Sequence, residues 1–149
     1  MDEGQNVLYL VAAQNARELA KREIAKVAAR VTDEKGLPLY DMVKAYRNDT
    51  FIVDGFIEDG LRQFVTRFSD CCTMEKKDDK YLINLNLPDS EKDNILQGRE
   101  ELNRFLANQV TALWLATRYN TFAQFYTEQA SASMERLVIL LRTRKAPTR

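Results

Sequence analysis

The segment Tyr81-Leu82-Ile83-Asn84-Leu85-Asn86-Leu87 places apolar residues at 81, 83, 85 and 87 with polar Asn84 and Asn86 between them, in a chain of 149 residues whose other long segments repeat apolar positions at helical spacing. Period two is the spacing of a strand. A strand in helical surroundings constrains the fold sharply, because the N–H and C=O groups on each of its sides must find a partner in its own hairpin or in another copy of the chain. The nearest internal partner is Cys72 to Glu75, reached across the charged run Glu75-Lys76-Lys77-Asp78-Asp79-Lys80, which contains neither the Gly nor the Asn that favours a tight hairpin turn. Pairing within the chain and pairing between subunits both stay open, so Tyr81, Ile83 and Leu85 are candidate subunit-interface residues.

The rest of the chain reads as helix. From 5 to 33, Leu8, Val11, Ala12, Leu19, Ile24, Val27 and Val31 fall on one helical stripe, with Arg17, Lys21, Arg22, Lys26 and Arg30 gathered on the remainder. Gly36 and Pro38 end this long helix. A short amphipathic piece, Tyr40 to Arg47, leads to Asn48 and Asp49, either of which suits the cap of a core helix over 50–70. In that helix Ile52, Val53, Phe56, Ile57, Leu61, Phe64, Val65 and Phe68 recur at three and four, and Gly60 on the same face admits a close neighbour. Further helices are expected over 90–119 and 121–142, followed by a basic tail at 143–149. The fold class expected is mainly α: a single domain of about four helices in a bundle-like arrangement, with one short strand or β-hairpin around 72–87.

Composition bounds the chemistry. Apolar residues make up 45% and charged residues 30%, with 22 basic against 22 acidic side chains, the profile of a folded chain without a strong overall field. No apolar run reaches the roughly 18 residues of a membrane span, and Met-Asp-Glu-Gly does not open a secretory signal, so no membrane partner and a cytoplasmic site of synthesis are expected. The absence of histidine removes Ser-His and Cys-His nucleophile pairs, Glu-x-x-His di-iron ligands and the commonest zinc sites. No phosphate-binding glycine loop occurs among the five glycines. No catalytic, cofactor or metal residue is therefore assigned, and no enzyme activity is expected.

Four features remain. Asp54, Glu58 and Asp59 are the nearest approach to a carboxylate cluster, read most simply as a solvated face in which Glu58 pairs with Arg62. Adjacent Cys71 and Cys72 lack the Cys-x-x-Cys spacing of a redox pair and read as reduced thiols packing at a helix end. Trp114 fills a core or anchors an interface. After Glu135 come Arg136, Arg142, Arg144, Lys145 and Arg149 with no acidic residue, which makes Arg142, Arg144, Lys145 and Arg149 candidate contacts for a partner or for nucleic-acid phosphates, beside the plainer reading of cations at a helix C-terminus.

Taken together, a strand closing in Pro88, a helix containing Leu113-Trp114-Leu115, and a last helix with Phe125-Tyr126, Ala130 and Leu137 before Arg142-Thr143-Arg144-Lys145-Ala146-Pro147 resemble the layout of small helical neck and tail structural proteins of tailed bacteriophages and prophages, the head-tail connector (adaptor) type in particular. The likeness covers residues 50–149; the first helix is longer than in the small connectors. It implies a non-enzymatic virion subunit that forms a homo-oligomer and joins portal, connector or tail proteins, with the virion as its destination. The alternative is a helical nucleic-acid-binding or regulatory module using the basic tail.

Overall fold

The period-two segment is the central strand of a three-stranded antiparallel sheet. In a computed structural model that describes residues 6–35, 39–87, 92–116 and 118–142, the order of elements is β1 (Asn6–Ala12), α1 (Ala13–Lys35), α2 (Leu39–Asn48), α3 (Thr50–Arg67), β2 (Cys72–Lys77), β3 (Lys80–Asn86), α4 (Lys92–Ala116) and α5 (Asn120–Arg142). The sheet order is β1-β3-β2. The expected hairpin is present, with Cys72 opposite Leu85 and Lys77 opposite Lys80. It closes through Asp78, which adopts the left-handed backbone (φ 57°) that Asp tolerates better than most residues.

The N-terminal segment departs from expectation. Residues 6–12 form a strand, with Tyr9 opposite Ile83 and Val11 opposite Tyr81, and the helix starts only at Ala13. Leu8, Val11 and Ala12 satisfy a helical template by coincidence of spacing, but Val-Leu-Tyr-Leu-Val is also a short run of β-favouring residues, and periodicity alone does not separate the two. Because β1 takes the second side of β3, that strand has no edge left for another subunit. Of the two pairings left open for this strand, the structure shows the one within the chain, on both of its sides.

Helices α1, α3 and α4 touch the sheet. α1 buries Ala13, Ala16, Ala20, Ile24, Val27 and Ala28, a stripe at spacings of three, four and one whose small side chains let α2 and α4 approach closely. The piece around Tyr40 to Arg47 is a full helix, α2, that buries Met42 and Tyr46 against α1. α3 contributes Val53, Ile57, Leu61, Phe64 and Phe68 to the core. At Gly60 a Cβ would stand 3.0 Å from Leu106 Cδ2, so the glycine admits α4 as its position suggested.

α4 and α5 form an antiparallel hairpin with the most extensive contact in the molecule. Leu102, Leu106, Val110 and Leu115 of α4 are buried, while α5 turns Ala123, Ala130, Ser133, Leu137 and Leu141 inward. One charge is buried there. Glu101, only 4% exposed, accepts from Arg136 Nε (3.0 Å) and Nη2 (3.3 Å), and Arg136 Nη2 also donates to Ser133 Oγ. Burial pushes the Glu101 carboxyl up, but Arg136, Ser133 and Arg104 outweigh it and hold the group below its ordinary value.

Candidate functional site

The sheet presents one face to the helices and the other to solvent. Tyr9, Val11, Tyr81, Ile83 and Leu85 are buried, and the Tyr9 hydroxyl donates to the Ile95 carbonyl of α4. On the opposite face Leu8 is 56% and Leu10 47% exposed. Leu82, half-buried, stands directly across from Leu10.

The backbone phase of β1 follows from one hydrogen bond. Ala13 N–H donates to the Asp79 carbonyl at 2.9 Å, continuing the β1–β3 register by one position. In an antiparallel ladder alternate residues aim both backbone groups at the same neighbour. Tyr9 and Val11 share the phase of Ala13 and face β3, so Leu8 and Leu10 aim their N–H and C=O groups at the outer edge, which no described strand covers. The far side of β3 agrees in phase, since Asn86 N–H donates to the Cys71 carbonyl at 2.8 Å, which turns the even-numbered residues of β3 toward β2.

The two edges of the sheet differ in chemistry. β2 (Cys-Thr-Met-Glu-Lys-Lys) ends in three charged residues, with Lys76 Nζ 5.7 Å from the centre of the Tyr81 ring. Charges of this kind protect an edge against further pairing. β1 (Asn-Val-Leu-Tyr-Leu-Val-Ala) carries no charge at all.

A second apolar feature lies at the start of α3, where Phe51 is 91% exposed and its neighbour Ile52 is exposed as well. Asp49, two residues before Phe51, is tied to Trp114 and Arg118. Trp114 Nε1 donates to Asp49 Oδ2 at 2.9 Å and Arg118 Nη2 donates to the same oxygen at 2.8 Å, while the Arg118 guanidinium lies 4.6 Å from the Trp114 ring centre. Asp49 occupies the N-cap position of α3 but makes no side-chain cap bond, its carboxylate being turned to Trp114 and Arg118.

The residues singled out from sequence are distributed through the fold. Tyr81, Ile83, Leu85 and Trp114 are all core residues of the protomer, so their side chains offer no surface for a subunit contact. Arg142 is engaged within the chain: it grips Asp70 through two bonds of 2.9 and 2.8 Å, lies 4.7 Å from the Phe68 ring centre, and holds the Asp70 carboxyl down at about 2. Arg144, Lys145 and Arg149 lie outside the described residues.

The carboxylates diverge rather than converge. Asp54 accepts from Arg17 at 2.6 Å, Arg17 also bonds Asp79 at 2.9 Å, Glu58 sits 3.8 Å from Arg62, and Asp59 is exposed. Among the described residues no three His, Cys, Asp or Glu side chains stand together as metal ligands. Both cysteines are free thiols. Burial, then the neighbouring Cys71, pushes the Cys72 thiol up to about 11, and burial followed by Asp70 raises that of Cys71. Neither is an activated nucleophile at neutral pH.

The cations of α1 are drawn into local pairs as well, Lys21 with Glu18 and Lys26 with Glu23, while Arg30 lies over the Phe122 ring. A groove of about 590 Å³ between α1 and α4 mixes Arg22, Lys26 and Arg104 with Glu23 and Glu100 and shows no single sign of charge.

Sequence reasoning missed both apolar surface features. The signal for the first was the charge-free run Val7 to Val11; for the second, Phe51 stands two residues after the capping Asp49, ahead of the buried stripe that starts at Val53. Comparison with protein-family models, with curated proteins and with solved structures returns no match to this chain. The class that the fold defines is a mainly helical protein with a small three-stranded antiparallel sheet, and among its described helices none is long and apolar enough to cross a membrane.

Proposed function

We propose that this chain is a non-enzymatic structural subunit of a phage or prophage particle, of the head-tail connector, neck or tail kind, that works by assembling with copies of itself and with other virion proteins. The observation that carries the reading is Phe51. A phenylalanine left 91% exposed in the first turn of α3, beside the Asp49–Trp114–Arg118 cluster, has the properties of a preorganised interface anchor: a large apolar side chain, a helical backbone with little entropy left to lose, and no cover from the described residues. The layout of hairpin and two long helices over residues 50–149 supports the connector kind. Dispersal of Asp54, Glu58 and Asp59 to separate surroundings, together with thiols held protonated, supports a role without catalysis.

Light scattering of the purified chain, alone over a wide concentration range and mixed with the portal, connector or tail proteins encoded beside its gene, tests the reading. Complex formation that weakens with Phe51→Ser is expected. A chain that stays monomeric throughout and joins none of those proteins would end it.

A further inference from the structure

The outer edge of β1, open among the described residues, has a specific chemistry. Leu8 and Leu10 turn their side chains to solvent and their backbone groups away from β3, so whatever covers this edge must offer alternating N–H and C=O groups together with apolar side chains on the same face. That describes another strand. Three observations narrow its identity. β1 is uncharged, so opposing it with itself brings no like charges together. Laid antiparallel on itself with Tyr9 opposite Tyr9, it sets Leu8 of one copy against Leu10 of the other at both positions, in the phase where each opposed pair exchanges both backbone hydrogen bonds. Leu82, across from Leu10 in each sheet, extends the leucine surface on either side of the junction. The other available edge, β2, would instead bring Glu75 and Lys77 of a neighbour onto the leucine face.

We infer that β1 pairs antiparallel with β1 of a second copy about a two-fold axis beside Tyr9, joining two three-stranded sheets into one continuous six-stranded sheet. The contact is isologous, so it makes a closed dimer, and a larger assembly is then built from dimers through other surfaces such as Phe51. The inference rests on the assembly reading for its premise that copies meet, and it adds which strand meets which and in what register.

The register makes the test selective. Sedimentation equilibrium of the full chain is expected to show a dimer. Leu8→Lys and Leu10→Glu each place a charge against a leucine of the partner, and each is expected to raise the dissociation constant by roughly a hundredfold. Mixed together, the two variants set the introduced lysine opposite the introduced glutamate, and a heterodimer within about tenfold of the original affinity is expected. Leu8→Pro removes a backbone N–H that faces away from β3, so it too should abolish the dimer while leaving the thermal melt of the monomer near that of the parent.

A full chain that is monomeric at all concentrations overturns the inference, as does a dimer that both charge variants leave intact, or a mixture that recovers no heterodimer. Should Leu8→Pro fail to fold, the charge variants, whose side chains point to solvent, decide alone. Failure here is separable from failure of the functional reading: a dimer indifferent to Leu8 and Leu10, or a monomer that still binds virion proteins through Phe51, removes only the β1 junction.

Discussion

Asp49 stands at the N-cap of α3 yet gives its carboxylate to the indole of Trp114, 65 residues further on. A residue placed to finish one helix thereby ties that helix to the C-terminal end of another. Arg118 shares the same oxygen and covers the Trp114 ring, so one carboxylate satisfies a buried indole N–H and a guanidinium at once. Asp49→Ala leaves both donors without that acceptor and is expected to cost about 2 kcal/mol. Asp49→Asn keeps an acceptor for the indole but loses the charge, and about half that cost is expected. Trp114 is the only tryptophan, so urea unfolding followed by its fluorescence reads both changes directly.

The Glu101–Arg136 fork is expected to show in the acid limb of stability. Because the folded carboxyl lies below its unfolded value, its contribution is full above the unfolded pKa, near the ordinary Glu value, and is lost as pH falls through the folded one. Arg136→Ala strands a buried carboxylate, and a loss of about 2 kcal/mol at pH 7 is expected, the half-exposed arginine tempering what a fully buried pair would cost. Glu101→Gln should flatten the acid limb. Chemical denaturation of both variants from pH 7 to pH 3 measures each effect.

Two helical glycines should respond in opposite directions to the same change. A Cβ at Gly98 would stand 2.8 Å from Leu141 Cδ2 and 2.8 Å from the Tyr9 hydroxyl, where α4, α5 and β1 converge. Gly98→Ala is expected to destabilise by about 1–2 kcal/mol through overpacking. Nothing lies within 4 Å of a Cβ at Gly55, so Gly55→Ala should stabilise by up to about 1 kcal/mol through helix propensity. Differential scanning calorimetry of the pair separates the two signs.

Cys72, buried and with its thiol pushed up to about 11, is expected to resist alkylation at neutral pH. Iodoacetamide labelling followed by mass spectrometry should modify it at least about tenfold more slowly than an unstructured thiol of ordinary pKa, with full access on denaturation. Rapid labelling of Cys72 itself, rather than of the half-buried Cys71, in the folded chain would contradict its placement on the inner face of the sheet.

The parts of this fold that were legible in the sequence are those where many residues repeat one signal. α3, α4 and α5 each carry apolar positions at three and four over five turns or more, so the pattern outweighs any single exception, and the strand at β3 is framed by Pro88 on one side and a charged run on the other. β1 was not legible as a strand because Leu8, Val11 and Ala12 also fit the helical stripe that continues through Ile24 and Val27. Only the long-range pairing with β3 arbitrates between the two readings. The same limit hid the surface features: Phe125 and Ile52 fit the inward pattern of their helices, yet both stay exposed. Nor does sequence spacing reveal that Arg142 turns back to Asp70, across 72 residues.

The pairing of β1 with β3 also sets an order of events at the ribosome. β1 is made before β3, the strand that receives it, which lies about seventy residues further along the chain, and at about 5–20 residues per second that partner emerges several seconds later. The β2–β3 hairpin and the α4–α5 pair join near neighbours and close quickly, but the sheet stays incomplete until β1 returns to it. A charge-free strand therefore waits several seconds uncovered after it is made, and the nascent chain's need for shelter is concentrated at Asn6–Ala12.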